Sequence, residues 1–118
     1  MAMNNKEKGQ IGEDRVVSYL ESKGYRILEK NYRNRIAEID IVALDEQTIC
    51  FIEVKTRKGN RFGLPREAIT KKKIRKIILG AQSYLSHKKL HSHSCRFDVI
   101  EVYLNENQIE HIENAFWL

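Results

Sequence analysis

An aspartate in one apolar segment and a Glu-x-Lys pattern in the next form the combination in this sequence that is best suited to binding a divalent metal ion. They are Asp40, followed by Glu53 and Lys55. Two carboxylates can hold Mg²⁺ or Mn²⁺ and leave coordination positions for water and a phosphate oxygen. Such an ion polarises the phosphate and lowers the pKa of its bound water. A lysine two residues after the glutamate lies on the same strand face, about 6.5 Å along, where it can stabilise developing negative charge.

Glu13 is the candidate third carboxylate, and a helix must position it. The sequence predicts this helix from about Lys8 to Lys23, with Gly24 as its C-terminal stop. Its buried stripe is marked by Val16, Val17 and Leu20. At about 100° per residue, Glu13 falls in the middle of that stripe. A carboxylate there either pairs with a buried cation or faces a site, where it can assist a metal directly or through water.

The other elements follow from periodicity and turn signals. Strands are predicted over Tyr25–Arg33, Ala37–Leu44, Thr48–Thr56, Cys95–Leu104 and Gln108–Glu113, with a second helix from Thr70 to His87. An acidic turn of three or four residues makes the second and third strands an antiparallel hairpin. The order α-β-β-β-α-β-β predicts an α/β fold, a mixed β-sheet flanked by two helices. Residues 1–8 are expected to be a flexible N-terminus, residues 9–118 a single domain, and residues 115–118 an apolar tail that packs.

Strand alternation assigns the candidate residues to faces of the hairpin. Glu38 and Asp40 share one face of the second strand, while Ile39, Ile41 and Ala43 share the other. The third strand is apolar on both faces, which is typical of a central strand covered on both sides. Glu53 and Lys55 continue the face that Ile49 and Phe51 begin. Charges in such a setting are costly unless they are paired, hydrated or bound to a metal.

The positive charge of the chain is concentrated in one segment. The formal net charge is +5, but residues 54–76 carry ten basic residues and a single acid, a net +9. The residues of this segment that we expect to contact a nucleic-acid backbone are Arg57, Lys58, Arg61, Arg66, Lys72, Lys73 and Lys76. On the second helix, Lys72, Lys73, Arg75 and Lys76 are expected to point mostly outward. A solvated helix face followed by a basic loop is the alternative interpretation.

Other features limit the functions open to the chain. No apolar run approaches the ~20 residues of a membrane span, and the polar N-terminus without a signal core favours the cytoplasm. Cys50 and Cys95 are too few for a disulfide framework and are expected to be buried thiols. His87, His91, His93 and Cys95 lack the spacing of zinc ligands. Asp98 is expected to be a capping or ion-pair residue outside the site. A base-stacking platform is not supported, since Phe62 is the one aromatic residue of the basic segment.

The candidate residues belong to a longer pattern. The chain resembles the PD-(D/E)xK nuclease superfamily and, more narrowly, the YraN-type family of small bacterial proteins. The segments that carry the resemblance are Gly12-Glu13, Asn31-Tyr32-Arg33, residues 37–42 (AEIDIV), residues 51–57 (FIEVKTR), residues 96–100 (RFDVI) and residues 111–116 (HIENAF). Two positions depart from the pattern: Ala37 stands where glycine is usual, and Ile39 rather than proline precedes Asp40.

This resemblance implies a restriction-endonuclease-like fold, similar to that of Holliday-junction resolvases. It implies a site of Glu13, Asp40, Glu53 and Lys55 that binds Mg²⁺ or Mn²⁺ and hydrolyses DNA. Structured or branched DNA is among the candidate substrates. Glu38 is a less certain member of that site. Resolvase-like proteins pair to cut two strands, so a homodimer is expected. The apolar tail around Trp117 is the candidate dimer interface in this sequence.

Two other functions fit the same residues. The first is a non-catalytic nucleic-acid-binding or adaptor protein that keeps the nuclease fold, because a fold does not by itself establish an activity. The second is a structural domain in which Glu38, Asp40, Glu53 and Lys55 simply form cross-strand ion pairs.

Overall fold

A computed structural model describes residues 3–57 and 69–117 of the chain. These residues form two helices and five strands in the order α-β-β-β-α-β-β, which confirms the predicted fold class. The elements are α1 (Asn5–Ser22), β1 (Arg26–Arg33), β2 (Glu38–Asp45), β3 (Thr48–Arg57), α2 (Lys71–His87), β4 (Ser94–Tyr103) and β5 (Gln108–Phe116). The predicted basic residues Lys58, Arg61 and Arg66 lie outside the described residues.

The strands form one mixed sheet in the sequential order β1-β2-β3-β4-β5. Strands β3 and β4 pair in parallel, and the other neighbouring strands pair in antiparallel fashion. A parallel pair needs a crossover connection, and α2 supplies it between β3 and β4. The sheet is therefore an antiparallel half that carries the hairpin, joined by a helical crossover to a further strand pair.

Each face of the sheet is covered by one helix. Ile49 and Phe51 of β3 pack in a core that contains Ile77 and Ala81 of α2. Cys50 and Ile52 pack in a second core with residues of α1. Residues 49–53 of β3 are thus buried on both faces of the sheet, as the continuous apolar sequence predicts.

Strand β2 departs from the predicted alternation near its start. Ile41 and Ala43 pack in the α1 core, but Ile39 packs in the α2 core. The ladder between β2 and β3 ends at the pair Ile41 and Ile52. Ile39 lies beyond that pair and packs in the other core, so the prediction that all three residues share one face is wrong.

Helix α1 begins earlier than its sequence periodicity suggests. The side chain of Asn4 accepts a hydrogen bond from the Glu7 amide, 2.8 Å away, and this cap starts the helix at Asn5 rather than near Lys8. Residues 5–8, which the sequence assigned to a flexible terminus, are helical. The fully buried positions of the helix are Gly12, Val16 and Leu20, four residues apart, while Val17 is half-buried.

Two short contacts fix the helices against the sheet. A Cβ atom built on Gly12 would overlap Oγ1 of Thr56, so the α1 backbone rests directly on β3. A Cβ atom on Gly80 of α2 would lie 2.7 Å from Cβ of Ala37. The absence of a side chain on Gly80 therefore lets α2 lie close to Ala37.

The turn between β2 and β3, the start of β4 and the end of β5 differ in detail from the prediction. Asp45 pairs with Thr48, which leaves a two-residue turn, tighter than the three or four predicted, with Glu46 at φ +56°. Cys50 is buried as expected, but Cys95, next to the start of β4, is exposed. Strand β5 continues to the buried Phe116, while the Trp117 side chain is 69% exposed, so the expectation that the whole tail packs is wrong for Trp117.

Within the described ranges, no helix combines the length and the apolar character that crossing a bilayer requires.

Candidate functional site

Glu53 is the centre of the predicted site and is a buried acid, with 7% of its surface exposed. Strand β3 carries it on the α2 side of the sheet, two residues after Phe51. Its Oε1 atom accepts a hydrogen bond from the ammonium of Lys73 at 2.6 Å. The Lys55 ammonium lies 3.8 Å from the same oxygen. Glu53 is therefore an anion that already attracts two cations at one point of the sheet.

Asp40 lies beside Glu53, just past the end of the β2–β3 ladder. Its Oδ2 atom accepts a hydrogen bond from the Val54 amide at 2.8 Å, so the side chain continues the connection between the two strands. Burial and the negative charge of Glu53 raise the pKa of Asp40 to about 7. Because the charge of Glu53 disfavours the ionisation of Asp40, a divalent cation between the two carboxylates would be favourable.

Glu13 reaches the same region from α1. The contact between Gly12 and Thr56 holds this turn of the helix against the end of β3. Glu13 is half-buried, and burial together with the negative charges of Asp14, Glu38 and Glu53 raises its pKa. The helix thus brings a third carboxylate within electrostatic range of Glu53, although Glu13 flanks the buried stripe and is not at its centre.

Lys55 lies on the same face of β3 as Glu53. Burial, and then the positive charge of Lys73, lower the pKa of Lys55. Lys73 behaves in the opposite way: burial alone would lower its pKa, but the hydrogen bond and charge of Glu53 outweigh burial and raise it. Of the two lysines, Lys73 is the one that neutralises Glu53, and Lys55 is the less tightly bound cation.

The donor set suits a hard divalent ion, but its side chains are not arranged as a closed metal centre. Among residues 3–57 and 69–117, no three His, Cys, Asp or Glu side chains are grouped so that they could hold a metal ion. The Lys73 ammonium contacts the carboxylate of Glu53, which is where an ion would bind. A metal would thus use Asp40 and Glu53 with water ligands, and it would have to displace Lys73 from Glu53.

Glu38 is separate from this group. Its side chain is exposed, and its Oε2 atom lies 3.1 Å from a guanidinium nitrogen of Arg33, its partner on β1. It influences Glu13 through its charge. Glu38 therefore pairs with an arginine of β1 and Glu53 with a lysine of α2, and these ion pairs are not the cross-strand pairing among Glu38, Asp40, Glu53 and Lys55 that the sequence left open.

The basic residues of the described segment divide into two groups. Lys72 and Lys76 are exposed on α2, as the sequence predicts. Lys73 was expected to point outward, but it lies one turn before the buried Ile77 and on the sheet side of the helix, so that prediction is wrong. Arg57 is also engaged: its guanidinium donates to Oε2 of Glu101 at 3.1 Å, and its side chain is 20% exposed.

Two residues near the site were not assigned to it from the sequence. Lys73 was assigned only to nucleic-acid binding, although the buried stripe of α2 places position 73 near the sheet. Glu101 is 2% exposed and lies opposite Lys55 in the parallel β3–β4 register. It falls on the same strand face as Phe97 and Val99, and that alternation is the signal that could have found it.

Asp98 lies on the other face of β4 and is fully buried, away from Glu53. It accepts hydrogen bonds from the guanidinium of Arg96 at 3.0 Å and from the amide of Asn114, and His111 Nε2 lies 2.8 Å from its Oδ2 atom. Burial alone would raise the pKa of Asp98, but these partners outweigh burial and lower it. The expectation that Asp98 is an ion-pair residue is confirmed.

The segment that holds these residues matches known bacterial proteins. A UPF0102 protein of Clostridioides difficile is 55% identical over 114 residues, covering 97% of this chain and 100% of the relative. Relatives from Persephonella marina and Caldanaerobacter subterraneus, also UPF0102 proteins, are 48% and 45% identical and cover 92% and 97% of the chain, and 92% and 98% of their own lengths. Residues 12–102, which include all four candidate site residues, match the model described as "Uncharacterised protein family UPF0102". The chain therefore belongs to the UPF0102 family.

Proposed function

We propose that this protein is a Mg²⁺- or Mn²⁺-dependent nuclease that hydrolyses phosphodiester bonds of DNA, with structured or branched DNA as the substrate class to test first. One observation carries the proposal. Glu53 is a buried carboxylate with a second carboxylate, Asp40, on the adjacent strand and an ammonium, that of Lys55, on its own strand. Buried charge of this kind costs folding free energy, and a metal site is a function that accounts for the cost.

Each residue of the site would have a distinct role. Asp40 and Glu53 would hold the ion directly, and Glu13 through a water molecule. The bound ion would supply a Lewis acid and a water of lowered pKa. Lys55 would donate to a phosphate oxygen as negative charge develops on it, and its weak contact with Glu53, 3.8 Å, leaves it able to do so.

The positive surface of α2 would bind the substrate. Lys72 and Lys76 are exposed one turn apart on the helix that also carries Lys73 into the site. Exposed lysines contact phosphates without reading the base sequence. Arg57, once it is released from Glu101, would extend this surface, and we assign the same role from the sequence to Lys58, Arg61 and Arg66, which lie outside the described residues. A homodimer, as in the resolvase-like proteins that the chain resembles, would present two such sites to a branched substrate.

The experiment measures cleavage of four-way-junction, linear duplex and single-stranded DNA with Mg²⁺, with Mn²⁺ and with a chelator. The wild-type protein should cut in a metal-dependent way. Glu53→Gln and Lys55→Met should lower the rate at least 100-fold. Glu29→Gln is the matched control, because Glu29 pairs with Lys88 on the surface, and this variant should cut like the wild type.

A non-catalytic DNA-binding protein is the second candidate, and the contact between Lys73 and Glu53 favours it. An ion pair at 2.6 Å neutralises the carboxylate that the nuclease needs. In that case the protein should bind DNA equally well with metal or chelator and cut none of the substrates, and Glu53→Gln should bind as the wild type does. Such a result would reject the nuclease.

A further inference from the structure

Two exposed apolar side chains lie near each other where α2 meets the loop between β1 and β2. Leu79 of α2 is 45% exposed, and Ile36 of the loop is 42% exposed. They are two of the four large apolar side chains that are exposed within residues 3–57 and 69–117. A single exposed apolar residue needs no explanation, but neighbouring ones from separate elements form a candidate binding surface.

Ile36 and Leu79 are brought together because the loop packs directly on the helix. A Cβ atom built on Gly80, which follows Leu79, would lie 2.7 Å from Cβ of Ala37, which follows Ile36. The Asn34 side chain donates a hydrogen bond to the Gly80 carbonyl at 3.1 Å. Its Oδ1 atom accepts hydrogen bonds from the amides of Ile36 and Ala37, each at 2.9 Å. These contacts fix the loop on α2, so binding a partner there requires little further ordering of the chain.

The surroundings of the two apolar side chains are positively charged. Helix α2 contains no acidic residue. Arg75 and Lys76 are exposed four and three residues before Leu79, so they lie on the same side of the helix. Arg35 of the loop is also exposed, and Glu38, just after the loop, is already paired with an arginine of β1. A polyanion with apolar faces fits this combination better than a protein does, because the centre of a protein–protein interface is depleted of charged residues.

This surface lies close to the candidate nuclease site. Leu79 follows Lys73 by six residues, about 9 Å along the helix axis. Ile36 precedes Asp40 by four residues, at most about 14 Å of extended chain. Nucleotides of a DNA strand follow each other at about 3.4 Å along the duplex axis, so these distances correspond to about three or four nucleotide steps. A DNA molecule bound at the site would therefore also reach Ile36 and Leu79.

Aliphatic side chains contact DNA bases where the base stack is interrupted. Isoleucine and leucine are among the residues that insert between base steps in proteins that kink DNA. Opening a step costs free energy, and the cost is lowest where pairing or stacking is already disturbed. A continuous duplex therefore resists such an insertion, whereas the branch point of a junction offers exposed base faces.

We propose that Ile36 and Leu79 form an apolar wedge that contacts the exposed base pair at the branch point of a DNA junction. Arg35, Arg75 and Lys76 bind the flanking phosphates. The proposal rests on the DNA binding in the proposed function, and it names the feature that selects branched DNA. It requires neither a metal ion nor cleavage, so it can be tested apart from the nuclease activity.

The test measures binding by fluorescence anisotropy with a chelator present, to a four-way junction and to a linear duplex with the same arm sequence. The wild-type protein should bind the junction at least tenfold more tightly than the duplex. Ile36→Ser and Leu79→Gln should each reduce this preference at least fivefold. Their affinity for the duplex should change less than twofold, because the phosphate contacts remain.

Met3→Ser is the matched control, since Met3 is 42% exposed and precedes the other helix. This variant should keep the preference for the junction. Thermal unfolding of the three variants should match that of the wild type, because each of them changes an exposed side chain. An equal loss of preference in Met3→Ser and Ile36→Ser would overturn the proposal.

A second measurement reports on the wedge directly. 2-Aminopurine placed at the branch point becomes more fluorescent when it is unstacked. The wild-type protein should raise this fluorescence, and Ile36→Ser and Leu79→Gln should not. No rise with the wild type, or an equal rise with both variants, would overturn the proposal.

The outcomes distinguish the wedge from the nuclease. A junction preference that depends on Ile36 and Leu79, in a protein that cuts no DNA, would support the wedge and reject the nuclease. Metal-dependent cleavage by a protein without a junction preference would reject the wedge alone. A junction preference that is unchanged in both variants would also reject the wedge, and would favour a protein as the partner of this surface.

Discussion

The ammonium of Lys73 lies 2.6 Å from a carboxylate oxygen of Glu53, so a residue of α2 places a positive charge against the central acid of the sheet. This contact links the crossover helix to the site, because Lys73 belongs to the same helix as the exposed Lys72 and Lys76. A phosphate backbone that binds to α2 and a metal that binds to Glu53 would both compete for this ion pair. Substrate binding and metal binding are therefore expected to depend on each other.

Replacing Lys73 should strengthen metal binding. Lys73→Met keeps the aliphatic stem but removes the charge that occupies Glu53, so Mn²⁺ should bind at least fivefold more tightly by calorimetry. Lys72→Met is the control, since Lys72 is exposed one position away and should change the affinity little. Weaker Mn²⁺ binding in Lys73→Met than in the control would contradict the assignment of Glu53 as a metal ligand.

Asp40 should make the fold less stable at neutral and alkaline pH. Its pKa is about 7 in the native protein, above the value of about 3.9 in an unfolded chain, so the native state holds the proton more tightly. The free energy of unfolding should then fall as the pH rises from about 4 through 7. Asp40→Asn keeps an acceptor for the Val54 amide and should be more stable than the wild type at pH 8, by about 2 kcal/mol after solvent screening.

Urea unfolding from pH 4 to pH 9, with a chelator present, checks the prediction for Asp40. The stability difference between Asp40→Asn and the wild type should grow with pH. A difference that stays constant across this range would show that ionisation of Asp40 does not lower the stability of the folded state.

Asp98 should contribute strongly to the free energy of unfolding, from the face of the sheet opposite Glu53. Asp98→Asn leaves the guanidinium of Arg96 and the ring of His111 without their buried anion, and breaking a buried pair in this way costs about 3–5 kcal/mol. Denaturant unfolding measures the loss. Glu113→Gln, at the exposed edge of the same network, should cost less than 1 kcal/mol. Similar losses in the two variants would contradict the buried role of Asp98.

The same carboxylate should give the wild type an acid transition. The native pKa of Asp98 is lowered, so its contribution to stability is complete above the unfolded value of about 3.9 and is lost as the pH falls through the native value. Asp98→Asn should lack that part of the acid dependence. Identical stability slopes for variant and wild type below pH 4 would argue against the shift.

Gly12 should tolerate no side chain. Gly12→Ala places a methyl group against the stiff, β-branched Thr56, so we expect a loss of about 1–3 kcal/mol from overpacking. Gly9→Ala in the same helix meets no atom within 4 Å and should stabilise the protein by up to about 1 kcal/mol. Thermal unfolding of both variants compares the two positions, and destabilisation by Gly9→Ala would show that helix propensity is not the relevant difference.

DNA binding through α2 should be electrostatic. Lys76→Gln removes one exposed charge, so the slope of log affinity against log salt concentration should decrease by about 1 on every duplex sequence tested. Fluorescence anisotropy at several salt concentrations measures the slope. Lys30→Gln, on β1 and equally exposed, is the control and should leave it unchanged.

Local sequence patterns predict the helices and strands and the face of β3 that carries Glu53 and Lys55. Periodicities of 2 and 3.6 residues depend on local chain geometry, so the strands, both helices and the Thr70 cap of α2 could be predicted to within a few residues. Helix α1 begins earlier because the Asn4 side chain accepts a hydrogen bond from the Glu7 amide, which extends the helix beyond the apolar pattern. Glu53 and Lys55 could be assigned to one face for the same local reason.

Which charged side chains contact each other depends on the packing of the elements. Lys73 and Glu53 are twenty residues apart, and their contact depends on how the crossover brings α2 onto the sheet. The burial of Glu101 and the pairing of Arg57 with it depend likewise on packing between elements. Alternation tells which way a side chain points, but the free energy of a buried charge depends on its neighbours in space, and the chain brings those neighbours together only when it folds.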